Sequence, residues 1–123
     1  MAHFRVVKLP LVCNALGDKT IIQSDIHVNG YLWEVMYVPG TIDTNADITL
    51  TVVQSALAKT ILTLTNAGTG TLILYPRASG CGATGTVATD QKQLVPVVGQ
   101  FQVLVDEGGD LGAGNIYMTV LEG

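Results

Sequence analysis

A glycine-rich stretch, SGCGATGT at Ser79–Thr86, carries the clearest hint of nucleotide chemistry in the sequence. Its Gly80, Gly82 and Gly85 have the G-x-G-x-x-G spacing of loops that wrap a dinucleotide pyrophosphate. Such a loop needs a helix that starts at its last glycine, because the helix N-terminus meets the phosphate. The segment that follows has no helical apolar face and soon reaches Pro96. We therefore predict a mobile surface loop that binds no nucleotide.

Two acidic stretches have residue types that bind cations. Asp43–Asp47 has the D-x-N-x-D opening of a calcium loop, but its sixth position is Ile48 instead of glycine and its twelfth is Gln54 instead of glutamate. We interpret this stretch as an Asx-rich turn that leads into a strand. Asp106–Asp110 would hold a cation only with help from another chain, and we favour a plain hairpin loop. No metal and no other cofactor is predicted.

Nucleophilic catalysis would need a serine or cysteine beside a base. Ser24, Asp25 and His27 are close in sequence, but neighbouring residues of a strand point to opposite faces, so they are not expected to form a triad. Cys13 and Cys81 are 68 residues apart and too few for a zinc site. We expect two buried reduced thiols, and a single disulfide between them is left open. The sequence predicts a protein that is not an enzyme.

Three aromatic residues alternate in the segment YLWEVMYV. Tyr31, Trp33 and Tyr37 share one side of this predicted strand. A row of aromatic side chains stacks on sugars, but it also fills protein cores and subunit interfaces. We favour the core or interface interpretation and keep carbohydrate binding as an alternative.

These residues are positioned by strands, because apolar and polar residues alternate along nearly the whole chain. Predicted strands cover Arg5–Leu9, Thr20–Val28, Tyr31–Val38, Asp47–Val53, Thr60–Thr65, Thr71–Tyr75, Lys92–Val98, Gln100–Val105 and Ile116–Leu121. Asn29-Gly30 predicts a tight hairpin, and Val52–Thr60 predicts a turn or one short helix. The fold expected first is an all-β, antiparallel jelly-roll-like sandwich or barrel of about eight short strands, and an immunoglobulin-like sandwich comes second.

The length of 123 residues is that of one domain. Within it, residues 1–12 are predicted to form an extended N-terminal arm, because they contain Pro10 and carry little charge. Residues 13–123 are predicted to form a single β domain.

Charge is scarce in this chain. Charged residues make up 13% of it, against about 25% in an average soluble domain. We infer that another copy of the chain covers part of its apolar surface. The net charge is −4 and the six Lys and Arg residues are scattered, so no nucleic-acid partner is predicted. No run of 18 apolar residues occurs, so we expect no membrane partner and folding in a cytoplasm.

The overall plan resembles the small decoration (cement) proteins of tailed-bacteriophage capsids. The likeness rests on four segments, HFRVVKLPLV, NGYLWEVMYVPGTIDTNADITLTV, TLILYPRASG and FQVLVDEGGDLGAGNIYMTV. It spans most of the chain as a pattern of Thr- and Gly-rich strands with a glycine-rich last hairpin. Because it is a likeness of pattern, no functional residue is carried over from the family.

The resemblance implies a jelly-roll homotrimer on the capsid exterior of a virion, at threefold or quasi-threefold positions, where it braces the major capsid protein. We expect the N-terminal arm to reach the shell or an adjacent trimer. The residues predicted to lie at interfaces are Phe4, Val6, Leu9, Tyr31, Trp33 and Tyr37. The alternatives are another phage structural component, of the tail or neck, and a small carbohydrate-binding β-sandwich module.

Overall fold

The structure is a computed structural model that describes residues 2–14, 20–55, 57–81, 87–109 and 111–122. Within these ranges the chain forms strands and turns and no helix. The strands are β1 (His3–Val12), β2 (Thr20–Val38), β3 (Asp47–Gln54), β4 (Leu57–Leu64), β5 (Leu72–Leu74), β6 (Arg77–Cys81), β7 (Val87–Asp106) and β8 (Ala113–Glu122). The prediction of an all-β antiparallel fold of about eight strands is confirmed. However, β2 and β7 are not short, since they contain 19 and 20 residues.

The strands form one sheet that folds over on itself into two layers. Its order is β1-β8-β2-β7-β3-β4, with β5 paired to β2 and β6 paired to β7. Residues 20–23 and 27–32 of β2 pair with β7, with a bulge between them, and residues 31–38 pair with β8, so that β2 belongs to both layers. Layer I contains β1, β8, the second half of β2 and β5; layer II contains the first half of β2, β7, β3 and β4.

The core lies between the two layers and takes every second side chain of the long strands. The large side chains with no solvent exposure are Val7, Leu11, Leu32, Val35, Tyr37, Ile48, Leu50, Val97, Phe101, Val103, Val105, Ile116, Met118 and Val120. A single flat sheet would leave both of its sides open to solvent, so complete burial on β1, β3 and β8 alike requires the layers to face each other. Each such aliphatic or aromatic side chain contributes about 1.5–3 kcal/mol by leaving water.

The N-terminal segment is part of this sandwich. Residues 3–12 form β1, which pairs with β8 along its whole length. Val7, Leu9 and Leu11 alternate into the core and are buried. The extended arm predicted over residues 1–12 is therefore wrong, because the apolar alternation of this segment has a partner strand at the other end of the chain. Pro10 is tolerated because β1 lies at the edge of the sheet.

Asn29-Gly30 does not turn the chain. β2 runs straight through it, and Asn29 and Gly30 pair with Val98 and Val97 of β7. The predicted hairpin is wrong because the glycine meets a different need here: a Cβ at Gly30 would collide with the carbonyl oxygen of Leu121 in β8. The glycine therefore permits a close approach of β8 at the place where β2 passes from layer II to layer I.

A bulge follows in the same strand. Leu32 and Glu34 both pair with neighbouring residues of β8, which leaves Trp33 as an extra residue in the ladder. An extra residue moves every following side chain to the other face of the strand. Leu32 faces the core before the bulge, and Tyr37, which is five residues further on, faces it after the bulge.

The glycine-rich stretch lies at the connection from β6 to β7. Gly80 belongs to β6 and pairs with Ala88, whereas Gly82 and Gly85 lie outside the described residues. Strand β7 begins at Val87. A strand therefore stands where a dinucleotide-binding loop would need the start of a helix.

The close approach at Gly30 gives a test of the two-layer arrangement. Gly30→Ala is expected to lower the free energy of unfolding by about 1–3 kcal/mol, because the new methyl group pushes β8 away from β2. Gly70→Ala is the matched control, because no atom lies within 4 Å of a Cβ at Gly70, and its effect should stay within about 0.5 kcal/mol. Urea unfolding measures both. Equal, small effects of the two substitutions would contradict the close packing of β8 on β2.

Candidate interaction surface

The outer face of layer II is mostly polar, as expected for a sheet face in water. Gln23 and Thr51 both pair with Gln102, and the three side chains form a row across β2, β7 and β3. Gln23 Nε2 donates a hydrogen bond to Gln100 Oε1 (2.9 Å), and Gln102 Nε2 donates one to Gln23 Oε1 (3.4 Å). The glutamine side chains of this face thus hydrogen-bond to one another.

The outer face of layer I is apolar and aromatic. This surface, the layer I face, consists of Phe4, Val6, Lys8, Tyr31, Trp33, Glu34, Met36, Ile73, Tyr117, Thr119 and Leu121. Cross-strand pairing places Phe4, Leu121 and Tyr31 in one row over β1, β8 and β2. Phe4 is 56% exposed, Val6 60% and Ile73 53%. Large apolar side chains thus stand in solvent on neighbouring strands, so they form a patch and are not scattered.

The layer I face is as large as the largest exposed apolar patches of monomeric proteins. Three strands about 4.8 Å apart, paired over about eight residues of about 3.4 Å each, give roughly 400 Å² of flat surface. Exposed apolar patches on monomers reach about 300–600 Å², and patches of this size are often functional. Lys8 and Glu34 are the charged residues of the face, and the Lys8 ammonium lies 6.0 Å from the centre of the Tyr117 ring. The face is therefore suited to burial against another apolar surface.

Trp33 is held in the face by two neighbours. Arg77 Nη1 donates hydrogen bonds to the carbonyl oxygens of Trp33 (3.1 Å) and Pro76 (2.7 Å), and the Arg77 guanidinium carbon lies 5.4 Å from the centre of the Trp33 ring. Phe4 meets the same ring edge to face, with ring centres 5.6 Å apart and planes at 65°. These contacts preorganise the ring and occupy part of its surface.

The structure brings together four of the six predicted interface residues. Phe4, Val6 and Tyr31 project from the layer I face, and so does Trp33. The prediction is wrong for Leu9 and Tyr37, because they are 4% and 0% exposed and lie in the core. Tyr37 has the alternation that predicts an outward side chain, but the bulge at Trp33 reverses that alternation. Whether the other four side chains meet a subunit stays a prediction.

Several residues of the face were missed in the sequence. Ile73 reaches it because β5 pairs with the second half of β2, and Tyr117 because β8 lies between β1 and β2. The Tyr75-Pro76-Arg77 triplet did contain a signal for this site. A proline ends the strand here, so the arginine that follows it lies beside the sheet. The partner of that cation could not be read from sequence.

The residues weighed for catalysis face different ways. Ser24 is buried, and its Oγ accepts a hydrogen bond from the Ile26 amide (3.1 Å). Asp25 and His27 are exposed on the outer face of layer II. The three side chains are therefore not brought together at one site, as the alternation along the strand predicts.

The residues weighed for cation binding are used in turns. Asp43 Oδ1 accepts a hydrogen bond from the Asn45 amide (2.9 Å), and Asp47 Oδ1 accepts one from the Asn66 amide (3.0 Å), which confirms the predicted Asx turn. In the second stretch Asp110 lies outside the described residues. Across the part of the chain that the structure describes, no three His, Cys, Asp or Glu side chains are grouped to hold a metal ion.

Cys13 and Tyr37 form a small polar spot in the core. Cys13 is a free, buried thiol whose pKa is raised by burial. Burial, and secondly the nearby Cys13, raise the pKa of Tyr37 to about 12. The Tyr37 hydroxyl is buried without a hydrogen-bond partner among the described residues. Cys13 forms no disulfide in the structure, and the side chain of Cys81 lies outside the described residues.

The chain was compared with protein-family models, with curated proteins and with solved structures, and none of them matches it. In the described ranges, no helix has the length and apolarity that crossing a membrane would take.

The buried hydroxyl of Tyr37 predicts a pH effect. Because the pKa of Tyr37 rises from 10.0 to about 12 on folding, the folded chain keeps this proton longer than the unfolded chain, and stability is lost as the pH rises from about 10 to about 12. Tyr37→Phe should remove this part of the loss and raise the free energy of unfolding at pH 7 by about 1 kcal/mol, since an unpaired buried hydroxyl is costly. Urea unfolding at a series of pH values measures both. A variant that is clearly less stable at pH 7 would show that the hydroxyl has a partner.

Proposed function

We propose that this protein is a structural protein of a virion, a homotrimer that decorates an icosahedral phage capsid from outside and braces the major capsid protein. The observation that carries the proposal is the contrast between the two outer faces: layer II is mostly polar, with Ile21 and Val98 as its exposed aliphatic residues, and layer I presents Phe4, Val6, Tyr31 and Trp33 together. An apolar sheet face on a chain with 13% charged residues is best explained by burial in an assembly.

The partner of the layer I face is proposed to be the same chain. Lys8 and Glu34 are of opposite sign, so among the described residues the one charge at this face without an opposite charge is that of Arg77, which lies over the Trp33 ring. Three copies arranged around a threefold axis would bring their exposed aromatic rows together. A closed threefold also matches a symmetry that icosahedral shells offer, and the three weak contacts of one trimer with a shell then act together.

The capsid role rests on the resemblance to decoration proteins together with this assembly surface. A tail or neck component with the same surface is the nearest alternative. Carbohydrate binding is favoured less, because Arg77 and Phe4 already contact the Trp33 ring and reduce the area left for a sugar. Titration with oligosaccharides, followed through Trp33 fluorescence, separates this alternative: saturable quenching would favour sugar binding over assembly.

Val6 and Ile21 provide a matched test of the self-association. Both are exposed aliphatic residues, at 60% and 64%, but Val6 lies on the layer I face and Ile21 on the outer face of layer II. Val6→Lys should convert the trimer to a monomer at micromolar concentration, because three ammonium groups would be buried near one axis. Ile21→Lys should leave the trimer intact. Light scattering coupled to size exclusion gives the masses, and circular dichroism checks that both variants fold.

Self-association and the capsid role are contradicted by different results. A wild-type monomer at micromolar concentration would contradict self-association. A trimer that is absent from purified virions of the phage that encodes it would contradict the capsid role while leaving the assembly surface in place. A gene for a major capsid protein beside this one would support the capsid role over that of a tail or neck component.

A further inference from the structure

The sandwich has an apolar groove along its open side, between β4 and the β5–β6 segment. The groove is lined by Ile61, Leu62, Thr63, Leu64, Leu74, Tyr75, Pro76 and Arg77 and has a volume of about 310 Å³. Leu62, Leu64 and Leu74 pack against the core but remain partly exposed, because none of the described strands covers them from this side. The edge of the hydrophobic core is therefore reachable from solvent here.

The two walls of the groove differ in what they offer. One wall is β4, which is the last strand of the sheet and pairs on one side only, with β3. An edge strand presents unpaired backbone N–H and C=O groups along its free side. The other wall contains Pro76, which has no N–H, and the three-residue β5. It therefore offers apolar contacts but few backbone hydrogen bonds to an added strand. One wall thus provides hydrogen bonds and the other provides apolar pockets.

Of the usual protections of an edge strand, β4 has a bulge, at Ile61, but no lysine that projects along its free side. Edge strands are commonly guarded by lysines that project along the free side. Lys59 is the lysine of β4, and its ammonium donates a hydrogen bond to the carbonyl oxygen of Pro96 in layer II instead. The remaining residues of β4 are apolar or threonine. The edge is thus accessible to another strand.

The opposite opening of the sandwich shows the contrast. It lies between β1 and the first half of β2 and is lined partly by polar residues, among them Lys8, Gln23 and Asp25. Arg5 Nη1 spans the two strands near this opening and donates a hydrogen bond to the His27 carbonyl oxygen (3.3 Å). The chain bridges this opening itself and leaves the other one unbridged among the described residues.

We propose that the β4 groove is a strand-addition site, which binds an extended segment of a partner protein. The segment would pair with β4 through its backbone and place alternate apolar side chains on Leu62, Leu64 and Leu74. Among the described residues of the groove Arg77 carries the one charge, so a carboxylate on the segment fits best. The two end strands of the sheet, β1 and β4, contain no carboxylate, so a second copy that paired through either edge would offer none to Arg77. An acidic segment of a different protein is therefore the occupant. The proposal does not depend on the trimer.

A synthetic peptide tests the site. The probe is the nonapeptide acetyl-ETVTVTVTE-amide, which alternates threonine and valine and has a glutamate at each end. It is titrated into the full-length protein and followed by amide chemical shifts and amide hydrogen exchange. We expect saturable shifts at sub-millimolar concentration, concentrated in β4, with slower exchange of the β4 amides. The same peptide with its central valine replaced by proline should not bind, because proline removes a ladder donor.

Tyr75 and Ile73 provide matched variants, since both are exposed and lie two residues apart, but only Tyr75 lines the groove. Tyr75→Ser should weaken peptide binding at least about tenfold through lost apolar contact, and Ile73→Ser should leave it unchanged. Absence of saturable binding up to about 1 mM would overturn the proposal. So would shifts centred on the layer I face, or equal effects of the two variants.

Discussion

The passage of β2 from one layer to the other is the constraint on which the rest of the structure depends. A single strand of 19 residues pairs first with β7 and then with β8. The exchange of partners requires β8 to come close to the backbone of β2, and Gly30 is the residue that leaves room for it. Two layers of one sheet that share a strand in this way enclose one core without any helix among the described residues.

The same passage creates the candidate interaction surface. The bulge at Trp33, where β2 separates from β7, turns the indole outward. The β5–β6 segment lies between the separated strands, since β5 pairs with β2 and β6 pairs with β7. Arg77 then reaches back to the Trp33 carbonyl oxygen and lies over its ring. The aromatic surface is thus fixed by the backbone geometry that closes the core, so the surface and the fold are not independent features.

The sequence predicted those strands in which apolar and polar residues alternate without a bulge. Asp47–Gln54 was recognised nearly in full, and Ala113–Glu122 over Ile116–Leu121, because the apolar residues of each occupy one unbroken face. The all-β class followed from the same alternation. The burial of residues 3–12 was missed, because the strand that pairs with them lies at the other end of the chain.

The candidate site was predictable only in part, for the same reason. Tyr31 and Trp33 were interpreted as core or interface residues, and the structure excludes the core for both, since they are 50% and 40% exposed. The interface prediction for Tyr37 is wrong, since a bulge arises from the pairing of two strands and has no signature in either one. Asn29-Gly30 has the sequence of a hairpin turn, and only the position of Leu121 shows why a glycine is needed in an unbroken strand.

The central claim is that the layer I face is buried between copies of the chain, and the single tryptophan reports on it directly. Iodide quenching of Trp33 fluorescence should be measured over protein concentrations at which the mass rises from monomer to trimer. The account predicts that the quenching constant falls in step with the rise in mass, because Trp33 is 40% exposed in the single chain and becomes covered on assembly. A quenching constant that stays unchanged while the mass increases would contradict it, because assembly would then use another surface.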